Sequence, residues 1–368
     1  MRYIALGMKR DPALLICGIT KHQYYHKSSK GKRGVAASTH AIRHVEDKQI
    51  ETPNTEVVEQ IKSINSEPDI DYGYQNMTIA LKIIGYHINH KKVYRLMKEN
   101  QLLHVKAKKS PKTYVKYRLV MPPGPLHLLE MDMKFVWIES ARKHGYILTV
   151  IDVFTRQVLG WVAQMSITQH TVKTIWTEII ISHLQANDML AKGVHIEIRN
   201  DNDKRFSAQM VQQFFKDNYL NQVFTHPYTP QENGHIESFH AILGRSLERF
   251  HFDTIEDLDM HLHVFYEKYN NQRIHGSIAK LPPNIFREQW EKGNIMRCID
   301  SENKKVKFKL LIPYRLISLS GNMHQREASC LINDSLDGNQ KSQKVSDVTT
   351  LQPSVQNHLR SHLADSKL

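Results

Sequence analysis

Three carboxylates have a spacing that suits phosphodiester chemistry. Asp132 lies within an alternating apolar segment, Asp201 follows another apolar segment, and 35 residues separate Asp201 from Glu237, which begins a helical pattern. Enzymes that transfer phosphodiester groups use such oxygen ligands to bridge two Mg²⁺ ions, roughly 3.5–4 Å apart. Mn²⁺ can substitute for Mg²⁺, and neither ion requires Cys or His ligands. Asp132, Asp201 and Glu237 are therefore the predicted catalytic residues and metal ligands.

The segments around these acids predict a mixed α/β domain. Three strands joined by short turns should pair antiparallel, and a helix, a parallel strand and further alternating helices and strands follow. This is the element order of a ribonuclease-H-like catalytic core, a five-stranded mixed sheet flanked by helices. The predicted strands cover 126–138, 146–154, 158–167, 194–199 and 221–225, and the predicted helices cover 168–185, 208–217, 235–250 and 255–269.

Residues 54–104 predict a helix-turn-helix module that binds DNA. Two helical patterns, 76–84 and 90–100, are joined by a short turn that contains Gly85. The second helix has a basic face that could meet phosphates in a major groove, and a plain helical hairpin with a solvated basic face is the alternative. The cations of that face are Lys91, Lys92, Arg95 and Lys98.

The composition of the chain suggests where its remaining segments begin and end. Residues 1–50 are predicted to be a basic helical segment, in which 35–50 could form a further helix. Residues 105–121 are a basic linker expected to follow the DNA backbone, and its cations include Lys106, Lys108 and Lys109. The core is predicted to span 122–290. The C-terminal extension, 291–368, should be partly disordered because it is rich in polar residues, with a strand or two within 304–319.

The charge of the chain favours a polyanionic partner. A net charge of +13 and a pI of about 9.4 make nucleic acid the first candidate. The sequence has no long apolar run, no signal-peptide pattern and no paired cysteines, so a bacterial cytoplasmic protein is expected, nucleoid-associated when bound. His22 and His26, like His40 and His44, have a spacing that could hold zinc on a helix, with solvated histidines as the simpler interpretation.

Several short motifs occur in the order found in one protein family. Together they resemble the retroviral-integrase-like DDE transposases of bacterial insertion sequences, specifically the catalytic, downstream-frame protein of two-frame elements. The resemblance extends over roughly residues 70–290, and it includes the three acids at the expected spacing. The matching segments are 129–132, 150–156, 159–161, 200–202, 233–239, 269–275 and the pair Pro282-Pro283.

The resemblance implies a DNA transposase that works in two steps at one site. Water activated by Mg²⁺ would cleave a phosphodiester at an element end, and the released 3′-OH would then attack a second phosphodiester and join the strands. The implied partners are DNA, as element terminal repeats and target, and further copies of the chain. An upstream-frame helix-turn-helix protein is a plausible additional partner, and no membrane is involved.

Other side chains near the acids are expected to contact DNA or to support the site. Arg273 and His275 could lie near the site or brace the loop after the last helix, and a turn role for Arg156 is an equal alternative to DNA contact. Asp152, inside the second strand, is expected to make structural hydrogen bonds. The proposed DNA contacts are Lys134, Arg156, Gln231, Asn233, His240 and Arg273.

One departure from the family pattern bears on activity. Asp203 occupies the position where the family usually has a glycine, and a left-handed backbone there would suit Asp less well than Gly. A decayed or repurposed transposase that only binds DNA is therefore an alternative. A ribonuclease-H-like nuclease acting on RNA–DNA hybrids is a third hypothesis, but it would need neither the basic arm nor the helix-turn-helix module.

Overall fold

The computed structural model describes residues 6–26, 37–45, 48–103, 122–225, 233–299 and 306–317, together with Ile4. No helix in these ranges is both long and apolar enough to cross a membrane. Residues 318–368 lie outside them, as does the predicted linker 105–121 with Lys106, Lys108 and Lys109.

A five-stranded mixed sheet forms the core, in the order β6-β5-β4-β7-β8. Strand β4 pairs antiparallel with β5 and parallel with β7, so the strand that contains Asp132 lies at the centre. This topology confirms the predicted ribonuclease-H-like class, although strand ends differ from the prediction by a few residues. The strands are β4 (Leu128–Ile138), β5 (Lys143–Asp152), β6 (Val158–Gln164), β7 (Ile196–Asn200) and β8 (Leu220–Phe224).

Helices cover both faces of this sheet because successive side chains of a strand point to opposite faces. On one face Leu129, Met131 and Met133 pack into a core with α6 and α7. On the other face Ile138 packs into a second core with α8 and α9. These helices are α6 (Gln169–Ile179, extended by a π-helix over Ile180–Gln185), α7 (Gln209–Asp217), α8 (Gly234–Leu247) and α9 (Ile255–Asn271).

The N-terminal part contains a small sheet that the sequence analysis did not predict. The helix expected within 35–50 is wrong, because β1 and β2 form an antiparallel hairpin there and β3 pairs with β1. Gly85, at φ +99°, makes this pairing possible, since a Cβ at that position would lie 2.3 Å from the carbonyl oxygen of His44. The elements are α1 (Arg10–Ile16), α2 (Lys21–Tyr25), β1 (His40–Val45), β2 (Lys48–Pro53), α3 (Asn54–Ser66), α4 (Tyr74–Ile83), β3 (Tyr86–His87) and α5 (His90–Glu99).

The described part of the C-terminal extension packs against the sheet domain. Helix α10 (Pro283–Glu291) precedes β9 (Ile295–Ile299), which pairs antiparallel with β10 (Val306–Leu310). The ring of Phe308 lies 5.1 Å from that of Phe154 and 5.0 Å from that of Phe286. A strand within 304–319 was predicted, whereas its partner β9 was not.

The helix-turn-helix region is fixed to the sheet domain through the segment after α9. The hydroxyl of Tyr72 accepts a hydrogen bond from the backbone N–H of Ile274 (2.8 Å) and donates to the carbonyl of Gln272 (3.1 Å). A salt bridge of 2.9 Å joins Lys268 of α9 to Glu67. Since both Tyr72 and Ile274 are buried, this contact belongs to the packed interior.

Replacing Tyr72 with Phe should therefore lower the free energy of unfolding by about 1–3 kcal/mol, because the buried N–H of Ile274 loses its acceptor. Chemical denaturation of the purified chain measures this. Tyr94→Phe is the matched control, since the Tyr94 ring is 42% exposed, and it should change stability by less than about 0.5 kcal/mol. Equal effects of the two substitutions would contradict the interior role of the Tyr72 hydroxyl.

Candidate active site

Three contacts align β4 with α8 and bring Asp132 and Glu237 to the same surface. The carboxylate of Glu130 accepts the backbone N–H of Ile236 at 2.7 Å. Two residues further along β4, Asp132 Oδ2 lies 3.4 Å from Nδ1 of His240. Two residues further again, the side chain of Lys134 lies over Gly244. A Cβ atom added at this glycine would be 3.3 Å from the Nζ atom of Lys134. The even-numbered residues of β4 therefore follow successive turns of α8.

Asp201 reaches the same region from the end of the neighbouring strand β7. Its Oδ1 accepts the backbone N–H of Asp203 at 3.2 Å. Asp203 in turn pairs with Arg205 (2.7 Å), whose guanidinium carbon lies 4.9 Å from the centre of the Tyr146 ring. The described residues with positive φ do not include Asp203, so the left-handed conformation expected at this position is wrong. The carboxylate of Asp203 stabilises the turn through Arg205 instead.

The charge of Asp132 acts on the ionisation of both Asp201 and Glu237. Burial raises the pKa of Asp201, and the charges of Asp132 and Asp203 raise it further, while the hydrogen bond from the Asp203 N–H opposes them. Burial also raises the pKa of Glu237, with further contributions from Asp132 and Glu130. Asp132 thus acts electrostatically on both of the other acids. Carboxylates held close to one another repel, and this repulsion favours the binding of a cation or a proton.

The donor chemistry of these acids fits Mg²⁺ or Mn²⁺. Their carboxylate oxygens are the ligands that both ions prefer, and their mutual repulsion would be relieved by a divalent cation. No three Asp, Glu, His or Cys side chains of the described ranges are close enough to hold one ion together. Mg²⁺ is commonly bound by one or two carboxylates plus waters and substrate phosphates, so a group of three protein ligands is not required for that mode of binding.

Three predicted DNA contacts lie beside these acids. His240 is nearly buried against Asp132, and its buried Nε2 has no hydrogen-bond partner among the described residues. Asn233 directly precedes α8 and is only 6% exposed, so little of its side chain is accessible. Lys134 lines an open groove of about 310 Å³ together with Trp137 and Phe250. Of the three, Lys134 is best placed to meet a phosphate; Gln231 lies outside the described residues.

Arg156 and Arg273 are half-buried, in positions that argue against the predicted DNA contacts. Arg156 lies in the turn between β5 and β6 at φ +66°, and burial lowers its pKa while the nearby Glu130 and Asp152 charges oppose that shift. Arg273 donates to the backbone carbonyl of Asp69 and thereby helps to dock the helix-turn-helix region. Both cations are therefore structural in this arrangement.

His275 and Asp152 also have structural roles, and of the two Asp152 is fully buried. Burial lowers the pKa of His275 to about 3, so its ring is neutral, and its backbone N–H donates to the carbonyl of Leu281. This pairing braces the loop after α9, which is one of the two roles expected for His275. Asp152 accepts hydrogen bonds from the N–H groups of Leu126, Phe154 and Thr155, as expected of a structural carboxylate.

The basic face of α5 is only partly free. Lys91 and Lys98 are exposed, whereas Lys92 donates to the carbonyl of His40 and Arg95 donates to the carbonyl of Ser38. Lys92 and Arg95 thus hold the segment that leads into β1. The zinc interpretation of His40 and His44 is wrong, because these residues lie on a strand and the described residues contain no three-ligand metal group.

Sequence reasoning missed Glu130, a fully buried carboxylate that contacts the helix of Glu237. A signal was available, since Glu130, Asp132 and Lys134 alternate along one strand and must share a face. A charged residue inside an apolar strand requires a partner. The partner lies 106 residues away in the sequence, so local patterns could not identify it.

Family models match most of the described chain. Two models, each described as an integrase core domain, match residues 122–230 and 218–283, and a model described as an HTH-like domain matches residues 53–110. The chain therefore has an integrase core domain preceded by an HTH-like domain. The resemblance to integrase-like transposases of insertion sequences, predicted from the motifs, is confirmed by these matches and by the relatives below.

Curated relatives come from bacterial insertion elements. The uncharacterized 31.7 kDa protein of insertion element IS407 from Burkholderia multivorans is 24% identical over 58% of this chain and 75% of its own length. The transposase for insertion sequence element IS904 from Lactococcus lactis subsp. lactis is 23% identical over 62% of this chain and 92% of its own length.

Solved structures are less similar to this chain in sequence than these relatives are. The catalytic domain of Mos1 mariner transposase has a TM-score of 0.34 at 14% identity, covering 39% of this chain and 70% of that chain. A chain of the simian T-cell lymphotropic virus intasome in complex with the PP2A regulatory subunit B56 gamma has a TM-score of 0.39 at 15% identity, covering 62% of this chain and 74% of that one.

Asp201→Asn should stabilise the metal-free protein at neutral pH. A pKa that is raised in the folded state means that the stabilising contribution of Asp201 is present at acid pH and is lost as the pH rises through that pKa. The amide removes this loss, so the Tm in EDTA should rise, by a small amount because Asp201 is exposed and solvent screens its charge, and the gain should shrink as the pH falls toward the raised pKa. Asp217→Asn, at an exposed carboxylate at the end of α7, is the control and should leave the Tm unchanged.

Asp203→Gly should destabilise the protein, although glycine is the residue that the family usually has there. The substitution removes the hydrogen bonds to Arg205 and adds backbone freedom, for a loss of about 1–2 kcal/mol in unfolding free energy. Asp188→Gly is the matched control, because Asp188 is exposed at φ +56° and glycine should maintain or raise stability there. Stabilisation by Asp203→Gly would contradict the turn described here.

Proposed function

We propose that this chain is a DNA transposase that cleaves DNA at insertion-sequence ends and transfers the cut strands to target DNA. Its catalytic residues and metal ligands would be Asp132, Asp201 and Glu237, with 35 residues between the last two. The observation that carries the proposal is that the charge of Asp132, at the centre of the sheet, acts on both of the other acids. The integrase core domain matched by residues 122–283 supports this reaction class.

Mg²⁺, or Mn²⁺ in its place, would supply Lewis-acid activation of the attacking oxygen and charge neutralisation at the leaving oxygen, with two ions in the complete complex. The role of the chain is to hold and orient the reacting groups. Asp132, Asp201 and Glu237 would provide the oxygen ligands at the edge where β4, β7 and α8 meet. Lys134, in the adjacent groove, would hold the DNA backbone.

Two successive displacements at phosphorus account for the overall reaction. In the first, a water oxygen forms a bond to phosphorus at the element end and the bond from phosphorus to the 3′ oxygen breaks, leaving a 3′-OH. In the second, that 3′-OH attacks a target phosphodiester and the target 3′ oxygen leaves. Neither step requires a covalent intermediate on the protein, so positioning and electrostatics would supply most of the rate enhancement.

DNA is the proposed partner of both domains. The exposed Lys91 and Lys98 of α5 are the cations of the helix-turn-helix region best placed to meet phosphates of an element end. Since two ends must be held together for transposition, we propose a multimer of this chain as the active form. An upstream-frame helix-turn-helix protein is a further proposed partner.

A transposase that binds element ends without cutting them is the second candidate function. The observation in its favour is that no three acids of the described residues already form a group able to hold one ion. The conformation of Asp203 does not add to this case, because the turn is well supported by Arg205. DNA binding without cleavage would distinguish this candidate.

Glu237→Gln should abolish cleavage and strand transfer while preserving DNA binding. The amide keeps the shape of Glu237 and removes its charge, and the loss of a metal ligand should reduce the rate by about 10³-fold or more. The measurement is a cleavage and strand-transfer assay with Mg²⁺ or Mn²⁺ on DNA that carries the element's own ends. Glu178→Gln, at an exposed carboxylate on α6, should retain wild-type activity.

If the wild-type chain binds these ends but never cuts them, even when the upstream-frame protein is present, the catalytic proposal fails and the binding-only function replaces it. If Glu237→Gln cuts as fast as wild type, a different set of residues must carry the reaction.

A further inference from the structure

Helix α8 receives no side-chain cap from Asn233, the described residue that precedes it. The first N–H groups of a helix have no partner within the helix and usually bond to a side chain at the preceding position. Asn233 occupies that position, yet within the described part of the chain its side chain makes no capping hydrogen bond and its buried Oδ1 has no hydrogen-bond partner. Another group must therefore fix the start of the helix that carries Glu237.

Glu130 of β4 supplies that cap from across the domain. One carboxylate oxygen accepts the N–H of Ile236 at 2.7 Å, and the other lies 2.9 Å from Nδ1 of His235. A carboxylate only accepts hydrogen bonds, so the histidine tautomer with a proton on Nδ1 fits this contact. The helix N-terminus also favours a negative charge at this point.

Glu130 is not itself suited to bind a metal ion. Its side chain is fully buried, and each of its oxygens already faces a donor of α8. The neighbouring charge of Arg156, in the turn after β5, offsets the burial of this carboxylate. Glu130 thus contacts the helix and not the reacting groups.

We propose that Glu130 is a positioning residue that clamps the first turn of α8 and thereby sets Glu237 opposite Asp132. The effect of this clamp on metal binding and strand transfer rests on the proposed function, whereas the clamp itself follows from the contacts described above. Ile236, whose N–H is clamped, directly precedes Glu237, and Asp132 lies two residues after Glu130 on the same strand face. One carboxylate therefore fixes the separation of two proposed metal ligands.

The test compares Glu130→Ala, Glu130→Gln and His235→Ala in the full-length chain. Glutamine keeps an oxygen that can accept the Ile236 N–H and a side chain of the same shape, whereas alanine removes both contacts. Glu197→Ala is the control, since Glu197 lies on the adjacent strand β7 and bonds to Arg199. Three quantities are measured: Mn²⁺ affinity by calorimetry, the strand-transfer rate at saturating DNA, and the Tm.

Loss of a residue that orients a metal ligand should weaken Mn²⁺ binding by about 10–100-fold, and we expect that loss for Glu130→Ala. The strand-transfer rate should fall with it while the DNA Kd stays unchanged. Glu130→Gln should restore Mn²⁺ affinity to near the wild-type value, His235→Ala should give a partial loss, and Glu197→Ala should match wild type. A role in folding alone would lower the Tm without this pattern.

Wild-type Mn²⁺ affinity in a folded Glu130→Ala protein would overturn the proposal. So would an equal loss in Glu130→Gln, because Glu130 would then act through its charge and not through its hydrogen bonds. If Glu130→Ala fails to fold, His235→Ala decides, and undiminished affinity in that variant counts against the clamp. A wild-type chain that binds Mn²⁺ but never cuts DNA contradicts the proposed function alone, since the affinity series still tests the clamp.

Discussion

The arrangement of the site depends on a match between the repeat of a strand and the repeat of a helix. Two residues of a strand advance about 6.6 Å, and four residues of a helix advance about 6.0 Å. Glu130, Asp132 and Lys134 can therefore meet Ile236, His240 and Gly244 in succession. A shift of one residue in the strand would point all three side chains at the other core. The position of Glu237 is set by this alignment.

Local patterns predicted the sheet domain because its strands are apolar and its helices have one apolar face. They failed at β1, where Ala41 is the only buried residue of a strand otherwise made of polar or half-exposed side chains. The pairing of β1 depends on the close approach of Gly85 to His44, which are far apart in the sequence. Strand β9 was missed for the same reason, since it acquires order from β10 and from aromatic packing around Phe308.

In the candidate site, too, local sequence patterns predict some features, whereas contacts between distant residues decide the others. The types and spacing of Asp132, Asp201 and Glu237 are visible in the sequence, and in the fold the charge of Asp132 reaches both of the other acids. The roles of Arg273 and Arg156 are not visible, because a cation next to a catalytic motif looks the same whether it faces DNA or the interior. Arg273 contacts a carbonyl 204 residues away, so the signature that contains it serves domain docking.

The four acids around β4 differ in how their charge is compensated, and this difference suggests a division of roles. Glu130 is buried, but a helix N-terminus, His235 and the charge of Arg156 compensate it. The charge of Asp132 acts on both Asp201 and Glu237, whose pKa values are raised by burial first and by this charge in addition. One buried carboxylate is thus held by structural partners, whereas the charges of Asp132, Asp201 and Glu237 would favour the binding of a cation under the proposed function.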